Sequence, residues 1–514
     1  MNYAELFRAT LPETALEVAA LVVLVVDLSF LRKTALNTRR AAAVLLGVLG
    51  CLASLAGLFY QGIQGTGYGN GPEELLKAMD GSSGVAQIGI LALTVLTLLL
   101  LIESDFTPHV AEFVAVVLMA ATGGLLIAAA QDLLVIFIGL ELLSLGLYIL
   151  TAFAKRSGKS AEAAIKYYLF GGMSAAFLLF GFSYLYGIAG STNLHAIMLA
   201  MYGASGLRAA PLMYVALVMI AAGLGFKVAA APFHLWAPDT YEGAPAPAAA
   251  FIASVSKVAS FALLISIGTA ALHVLGSAEA VRFVTATLRA SHMHAGFGIP
   301  WSVILTLLAV ASMVLGNLAA LAQSSVRRLL AYSAIAHAGY ILLGLAFFSY
   351  SPRSAEAILY YVLTYGLTTI GAFGVVGVVE QATGSDRMDS FLGLHKRSPL
   401  LAAVLLVLFL SLAGIPPLVG FWAKFNLFAA VLGVGAGVTP FALVALAVAM
   451  SAVSLYYYLQ VLKRAYVMQT VVETPIAVHP VTLAVLLVIA VGVVALGCFP
   501  ALLQGWIAGF YPAM

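Results

Sequence analysis

Residues 225–247 read Gly225-Phe226-Lys227-Val228-Ala229-Ala230-Ala231-Pro232-Phe233-His234-Leu235-Trp236-Ala237-Pro238-Asp239-Thr240-Tyr241-Glu242-Gly243-Ala244-Pro245-Ala246-Pro247. A lysine sits deep in an apolar run, and prolines then interrupt that run. In hydrocarbon an unpaired backbone group costs several kcal/mol, so irregular backbone at membrane depth is expected only where protein or water surrounds it. The stretch predicts a broken membrane helix that lines a polar interior path.

The surrounding chain supports a membrane setting. Its 514 residues are 63% hydrophobic and 9% charged, with a mean hydropathy of +1.07, against about 25% charged in soluble domains. A spanning helix needs about 20 mostly apolar residues, and about fourteen such segments follow one another here, which predicts an all-α polytopic membrane protein. The first segment, opening at Leu11-Pro12-Glu13, carries Glu17 and runs to Asp27 without a basic leader. It differs from a secretory signal and is expected to remain as a helix. Cys51 and Cys498 fall in separate apolar segments; they are too few for an iron–sulfur cluster, and no dinucleotide or P-loop fingerprint appears. No His, Cys and carboxylate cluster has metal-ligand spacing, so no metal is expected. Redox chemistry is expected in partner chains.

Short loops rich in Lys and Arg face the cytoplasm. With an outer N-terminus, the inner loops take Arg32, Lys33, Arg39, Arg40, Lys155, Arg156, Lys159, Arg327, Arg328, Arg387, Lys396, Arg397, Lys463 and Arg464. The outer loops take Arg8, Lys77, Arg208, Arg282, Arg289 and Arg353. This bias places both termini outside and requires an even number of spans. Of the 24 basic residues, Lys166, Lys227, Lys257 and Lys424 belong to no loop. A lysine at a helix centre costs ~2.5–3.5 kcal/mol, so these four need a hydrated interior, acidic partners or loss of their protons.

Glu141, in Gly139-Leu140-Glu141-Leu142-Leu143-Ser144, is an acid well inside a span. An acid about 4 Å from a lysine at an effective dielectric of 20 favours the charged form by ~4 kcal/mol. Glu141 with Lys166 or Lys227 is therefore the candidate pair for loading and unloading a proton. Lys166 also has a plainer reading, since Glu162 lies four residues earlier and would pair with it on the helix surface. His234 is either a bridge between protonation sites or a structural histidine. His337, within Ala334-Ile335-Ala336-His337-Ala338-Gly339, is open to the same two readings, and Lys424 to an exit toward one surface.

A second interruption, Ala413-Gly414-Ile415-Pro416-Pro417-Leu418-Val419-Gly420-Phe421-Trp422-Ala423-Lys424, also sets proline shortly before a Trp-Ala pair. Each break is the fourth span of a possible five-helix unit, spans 4–8 and 9–13, and paired interrupted segments point to transporter repeats. The expected divisions are residues 1–105 with three spans, 106–272 and 299–468 as the units, and 469–514 with the last span. Helices 7 and 12 are expected to be broken, at Pro232 and Pro238 and at Pro416 and Pro417.

At Leu11-Pro12-Glu13, Gly139 to Ser144, Ile165-Lys166-Tyr167-Tyr168, Phe226 to Pro247, Ser256-Lys257, Leu329 to Tyr340 and Gly414 to Lys424, the sequence resembles the antiporter-like membrane subunits of bacterial respiratory complex I (NADH-quinone oxidoreductase). These are related to the large subunits of multi-subunit cation/proton antiporters. The resemblance implies fourteen helices with two inverted repeats and a proton path. In it Glu141 and Lys227 form the uptake pair, Lys166 modulates them, Lys257 is the central relay, and Lys424 stands in the second half-channel. His234 and His337 would connect them. The resemblance also implies other membrane subunits as partners in a bacterial inner membrane, with NADH, FMN, iron–sulfur clusters and quinone held by partner subunits. Lysine rather than glutamate at 424 departs from one branch of that family. Two rivals remain: a sodium/proton antiporter subunit, and a membrane scaffold carrying no current.

Overall fold

The computed structural model describes residues 7–64, 76, 81–202, 210–276, 298–348, 354–434, 437–469 and 474–511. Helices dominate throughout. In chain order the principal helices are α1 (Leu11–Val26), α2 (Leu36–Gln64), α3 (Gly81–Leu99), α4 (Val110–Ala129), α5 (Leu133–Thr151) and α6 (Gly158–Ala189), with shorter ones such as Leu194–Tyr202 and Pro500–Ala508 beside them. Helix α7 comes as two halves, α7a (Ala210–Val228) and α7b (Trp236–Gly243), and is followed by α8 (Ala246–Gly276). Then come α9 (Gly298–Leu321), α10 (Val326–Ala346) and α11 (Ser354–Thr383). The last are α12a (Pro399–Ala413), α12b (Val419–Leu432), α13 (Val438–Tyr466) and α14 (Pro480–Cys498). Among the described residues thirteen helices are long and apolar enough to cross a membrane, and the two halves of α12, each too short alone, supply one more crossing.

Helix starts follow from capping side chains. Asp132 accepts from the Leu134 amide at the head of α5, Ser157 from Ser160 at α6, and Ser325 from Arg328 at α10; each satisfies a donor that the first turn leaves open. The first two helices of each five-helix stretch cross at glycines. A β-carbon on Gly139 of α5 would lie 3.2 Å from the Gly123 carbonyl of α4, and one on Gly339 of α10 would lie 2.8 Å from the Ala309 carbonyl of α9. Without hydrophobic drive between helices in lipid, such close approach supplies the packing.

Helix α8 is buried over its central run, residues 247–267, packed between α3, α4 and α11. Its opening Ala246-Pro247-Ala248-Ala249-Ala250 run is small enough for neighbours on every side. Basic residues assigned to inner loops gather at one end of the bundle. There Arg40 meets Asp105 at 2.5 Å, Arg328 meets Asp239 at 2.6 Å and Glu242 at 3.0 Å, and Ser325 bridges to Arg387. Lys77, Arg208, Arg282, Arg289 and Arg353 lie outside the described residues, as does the stretch 277–297 between the two expected units.

The two broken helices run in opposite directions. Helix α7b ends at this basic end, where Glu242 meets Lys159 at 2.9 Å. Helix α12a instead begins there, directly after Arg397, which donates to the Ser390 and Thr474 carbonyls. The break in α7 occupies residues 229–235 and that in α12 residues 414–418. Each contains a cis peptide bond, Ala231-Pro232 and Pro416-Pro417.

One expectation is corrected. Pro238 does not break the helix; it sits in the first turn of α7b, buried behind Trp236 and Ala237. A proline is tolerated in a first turn because the amide it lacks would have no helical partner. The interruption is made by Ala229 to Leu235, Pro232 among them.

Candidate functional site: lysines at two helix breaks

A helix that stops inside a bundle leaves its last four carbonyls without helical donors. At the first break a Schellman turn satisfies two of them: Ala229 adopts a left-handed φ of 60°, its amide donates to the Phe226 carbonyl at 3.0 Å, and the Ala230 amide donates to Gly225 at 2.7 Å. At the second, Gly414 takes φ 88°, its amide donates to Ser411 at 2.9 Å, and Ile415 donates to Leu410 at 3.0 Å. Lysines meet three of the carbonyls left over. Lys257 of α8 donates to Val228 at 2.9 Å, and Lys424 of α12b donates to Leu412 at 3.1 Å and Ala413 at 3.0 Å. The C-terminal end of a helix carries about half a negative charge, so an ammonium is attracted there without any acid.

Lys257 also donates to the Ala334 carbonyl of α10 at 3.3 Å. It therefore joins the first break to the helix that carries His337 three residues further on. Lys424 completes its set with the Ser451 hydroxyl of α13 at 2.8 Å, and its ammonium lies 5.4 Å from the centre of the Tyr340 ring.

Lys227, in the last turn of α7a, is the buried lysine with an acid beside it, the half-buried Glu141. Its ammonium lies 3.7 Å from Glu141 and donates to Ser144, one turn along the same face of α5. The Ser144 hydroxyl donates onward to the Leu140 carbonyl at 2.5 Å. An aromatic wall backs the pair: Trp236 stacks on Tyr167 at 4.3 Å and fixes itself by donating to the Phe226 carbonyl at 2.9 Å.

Of the two pairs left open by the sequence, Glu141 meets Lys227. Lys166 instead pairs with Glu162 at 2.7 Å and Asp239 at 2.8 Å, with its side chain 40% exposed. Lys166 thus has the plainer partner expected for it, Glu162, and a second acid, Asp239. It stands two turns into α6 beside α7b, where Asp239, Glu242, Arg328 and Lys159 form one ion-pair cluster at the basic end. His234 is half-buried in the first break, its Nδ1 has no hydrogen-bond partner, and no contact brings it to Lys227. His337 is buried, its Nδ1 hydrogen-bonds Tyr361 of α11 at 2.7 Å, and its Nε2 has no partner.

The same sequence model, described as NADH:quinone oxidoreductase/Mrp antiporter transmembrane, matches the chain twice, over residues 130–288 and 281–451, once around each break. The chain belongs to this family. NADH-quinone oxidoreductase subunit N 2 of Acidobacterium capsulatum is 48% identical over 99% of both chains. Subunit N 1 of Roseiflexus castenholzii is 39% identical over 87% of this chain and 82% of its own. A chain of respiratory complex I from Thermus thermophilus is 34% identical with a TM-score of 0.74, covering 96% of this chain and 98% of that one. A chain of the Mrp complex from Dietzia shares the fold, with a TM-score of 0.75 at 20% identity.

In this antiporter-like chain several polar partners escaped the reading of the sequence. Ser144 and Ser451 receive lysine hydrogen bonds, and Tyr361 holds His337. Asn317 of α9 donates to Tyr340 at 3.1 Å and accepts from Tyr457 of α13 at 3.2 Å, a buried polar chain beside Lys424. Serines and tyrosines are common in membrane helices, so their residue types alone gave no signal. Asn317, next to Gly316 in an apolar run, was the one legible sign.

Proposed function

We propose that this chain moves protons across a bacterial inner membrane as a subunit of an NADH-quinone oxidoreductase. Glu141 and Lys227 exchange a proton at the first break, Lys257 carries it between the two units, and His337 and Lys424 serve the second. Both termini lie on the periplasmic side. NADH, FMN, iron–sulfur clusters and quinone belong to partner subunits, whose redox reaction supplies the energy.

The observation that carries this reading is the pair of buried Lys227 and half-buried Glu141 at 3.7 Å, placed beside a break and followed by two further buried ammonium groups at helix ends. At an effective dielectric of 20 the pair's attraction is about 4 kcal/mol. Part of this offsets desolvation of the two charges, so small movements of either side chain change which proton state is favoured. Lys166 acts from outside the path: its tie to Asp239 fixes α7b against α6, and through α7b the break that holds Lys227. Protons are favoured over sodium because the ionisable groups gathered at the two breaks, Glu141 apart, are the basic residues Lys227, His234, Lys257, His337 and Lys424.

The test is Glu141→Gln in the assembled complex, reconstituted in vesicles. Pumping per NADH oxidised is expected to fall several-fold, with assembly and quinone reduction retained. Unchanged pumping overturns the reading; loss of assembly points to a scaffold role.

A further inference from the structure

We propose that Gly414 is a positioning residue for Lys424: with no β-carbon at this point, the lysine stem folds back over the end of α12a and sets its ammonium on the Leu412 and Ala413 carbonyls. The inference rests on the proton-path reading of Lys424. A β-carbon on Gly414 would lie 3.1 Å from Lys424 Cδ, 3.3 Å from Nζ and 3.5 Å from Cε. Ordinary van der Waals contact of carbon with carbon is about 3.5–4.0 Å, so the stem would have to give way. It has little room to do so. Its ammonium is tied at 3.1 and 3.0 Å to two carbonyls and at 2.8 Å to Ser451, and a displacement of a few tenths of an ångström stretches all three bonds at once.

Conformation and contact both ask for glycine here. Gly414 has φ 88°, beyond the left-handed region open to other residues, whereas Ala229, in the same place in the Schellman turn of the first break, sits within that region at φ 60°. The source of the ammonium differs as well. At the first break it comes from a separate helix, α8, through Lys257; at the second it comes from the half-helix that follows the turn. The glycine is thus matched to a lysine folding back over its own break.

The experiment compares Gly414→Ala, Lys424→Met and Ala229→Gly in the whole complex in vesicles, reading assembly, quinone reduction and protons moved per NADH. Lys424→Met is expected to lose most pumping. Gly414→Ala is expected to assemble, to reduce quinone normally, and to pump at a level nearer Lys424→Met than the unmodified complex; Ala229→Gly is expected to pump normally. A structure of the Gly414→Ala complex should show an intact α12b with the Lys424 ammonium lifted off the two carbonyls. Normal pumping by Gly414→Ala beside defective Lys424→Met overturns the role of Gly414 and leaves that of Lys424 standing. Normal pumping by Lys424→Met overturns both. If Gly414→Ala does not assemble, a high-resolution structure of the unmodified complex decides, and an ammonium beyond hydrogen-bond reach of both carbonyls overturns the proposal.

Discussion

At the first break an ammonium group faces a carboxylate; at the second it faces backbone carbonyls and a serine hydroxyl. Lys227 stands 3.7 Å from Glu141, and loss of its proton removes their charge–charge attraction and leaves only its hydrogen bond to Ser144. Lys424 rests on two carbonyls and Ser451, where the neutral amine still has two N–H donors for the same acceptors. The first arrangement discriminates strongly between charge states, and the second much less so. A carrier that must be loaded selectively and unloaded easily needs both kinds of site. Lys257, on the carbonyls of Val228 and Ala334, is of the second kind although it serves the first break.

The sharpest challenge to this comparison is Lys257→Met. It removes the group that joins α7a to α10 and strands two buried carbonyls, at about 1–3 kcal/mol each. Pumping should vanish, and the detergent-solubilised complex should unfold at a lower temperature. Full thermal stability would mean that Lys257 is not what closes the end of α7a. Next in size is the contrast between Lys227→Met and Lys424→Met. Both should abolish most pumping and lower thermal stability, the second by uncapping a half-helix and the first by leaving Glu141 without its cation. Only the first loss should be recovered by adding Glu141→Gln, and a Lys227→Met/Glu141→Gln complex that melts no higher than Lys227→Met would erase the distinction between the two breaks. The smallest effect is expected for Lys166→Ala. Exposed ion pairs contribute about 0–1 kcal/mol, and Arg328 continues to hold Asp239, so pumping should fall less than about twofold. A loss as deep as that of Glu141→Gln would return Lys166 to the path itself.

The helical architecture was legible because long apolar runs permit few alternatives in a bilayer, and both breaks announced themselves through proline. Pro238 misled because proline interrupts a helix interior yet is accepted in a first turn, and sequence alone did not say where α7b begins. Lys166 was legible in its plainer form, through Glu162 four residues earlier, but Asp239 is brought to it only by folding α7b against α6. The partners of Lys257 and Lys424 had no signature at all. A carbonyl is present at every residue, and only the end of a helix makes one available. For that reason the sequence showed buried cations without acids, and the structure shows the acceptors.

The opposite directions of the two broken helices matter once a voltage is applied. One charge crossing a membrane gains or loses about 2.3 kcal/mol per 100 mV. The end of α7a points toward the basic end of the bundle and the end of α12a points away from it. An ammonium leaving its carbonyls along the helix axis therefore moves with the field at one break and against it at the other. The same electrical gradient that the pump builds would loosen one lysine while holding the other in place. A growing membrane potential would thus act on the two halves of this protein as a brake and a release, in opposite order.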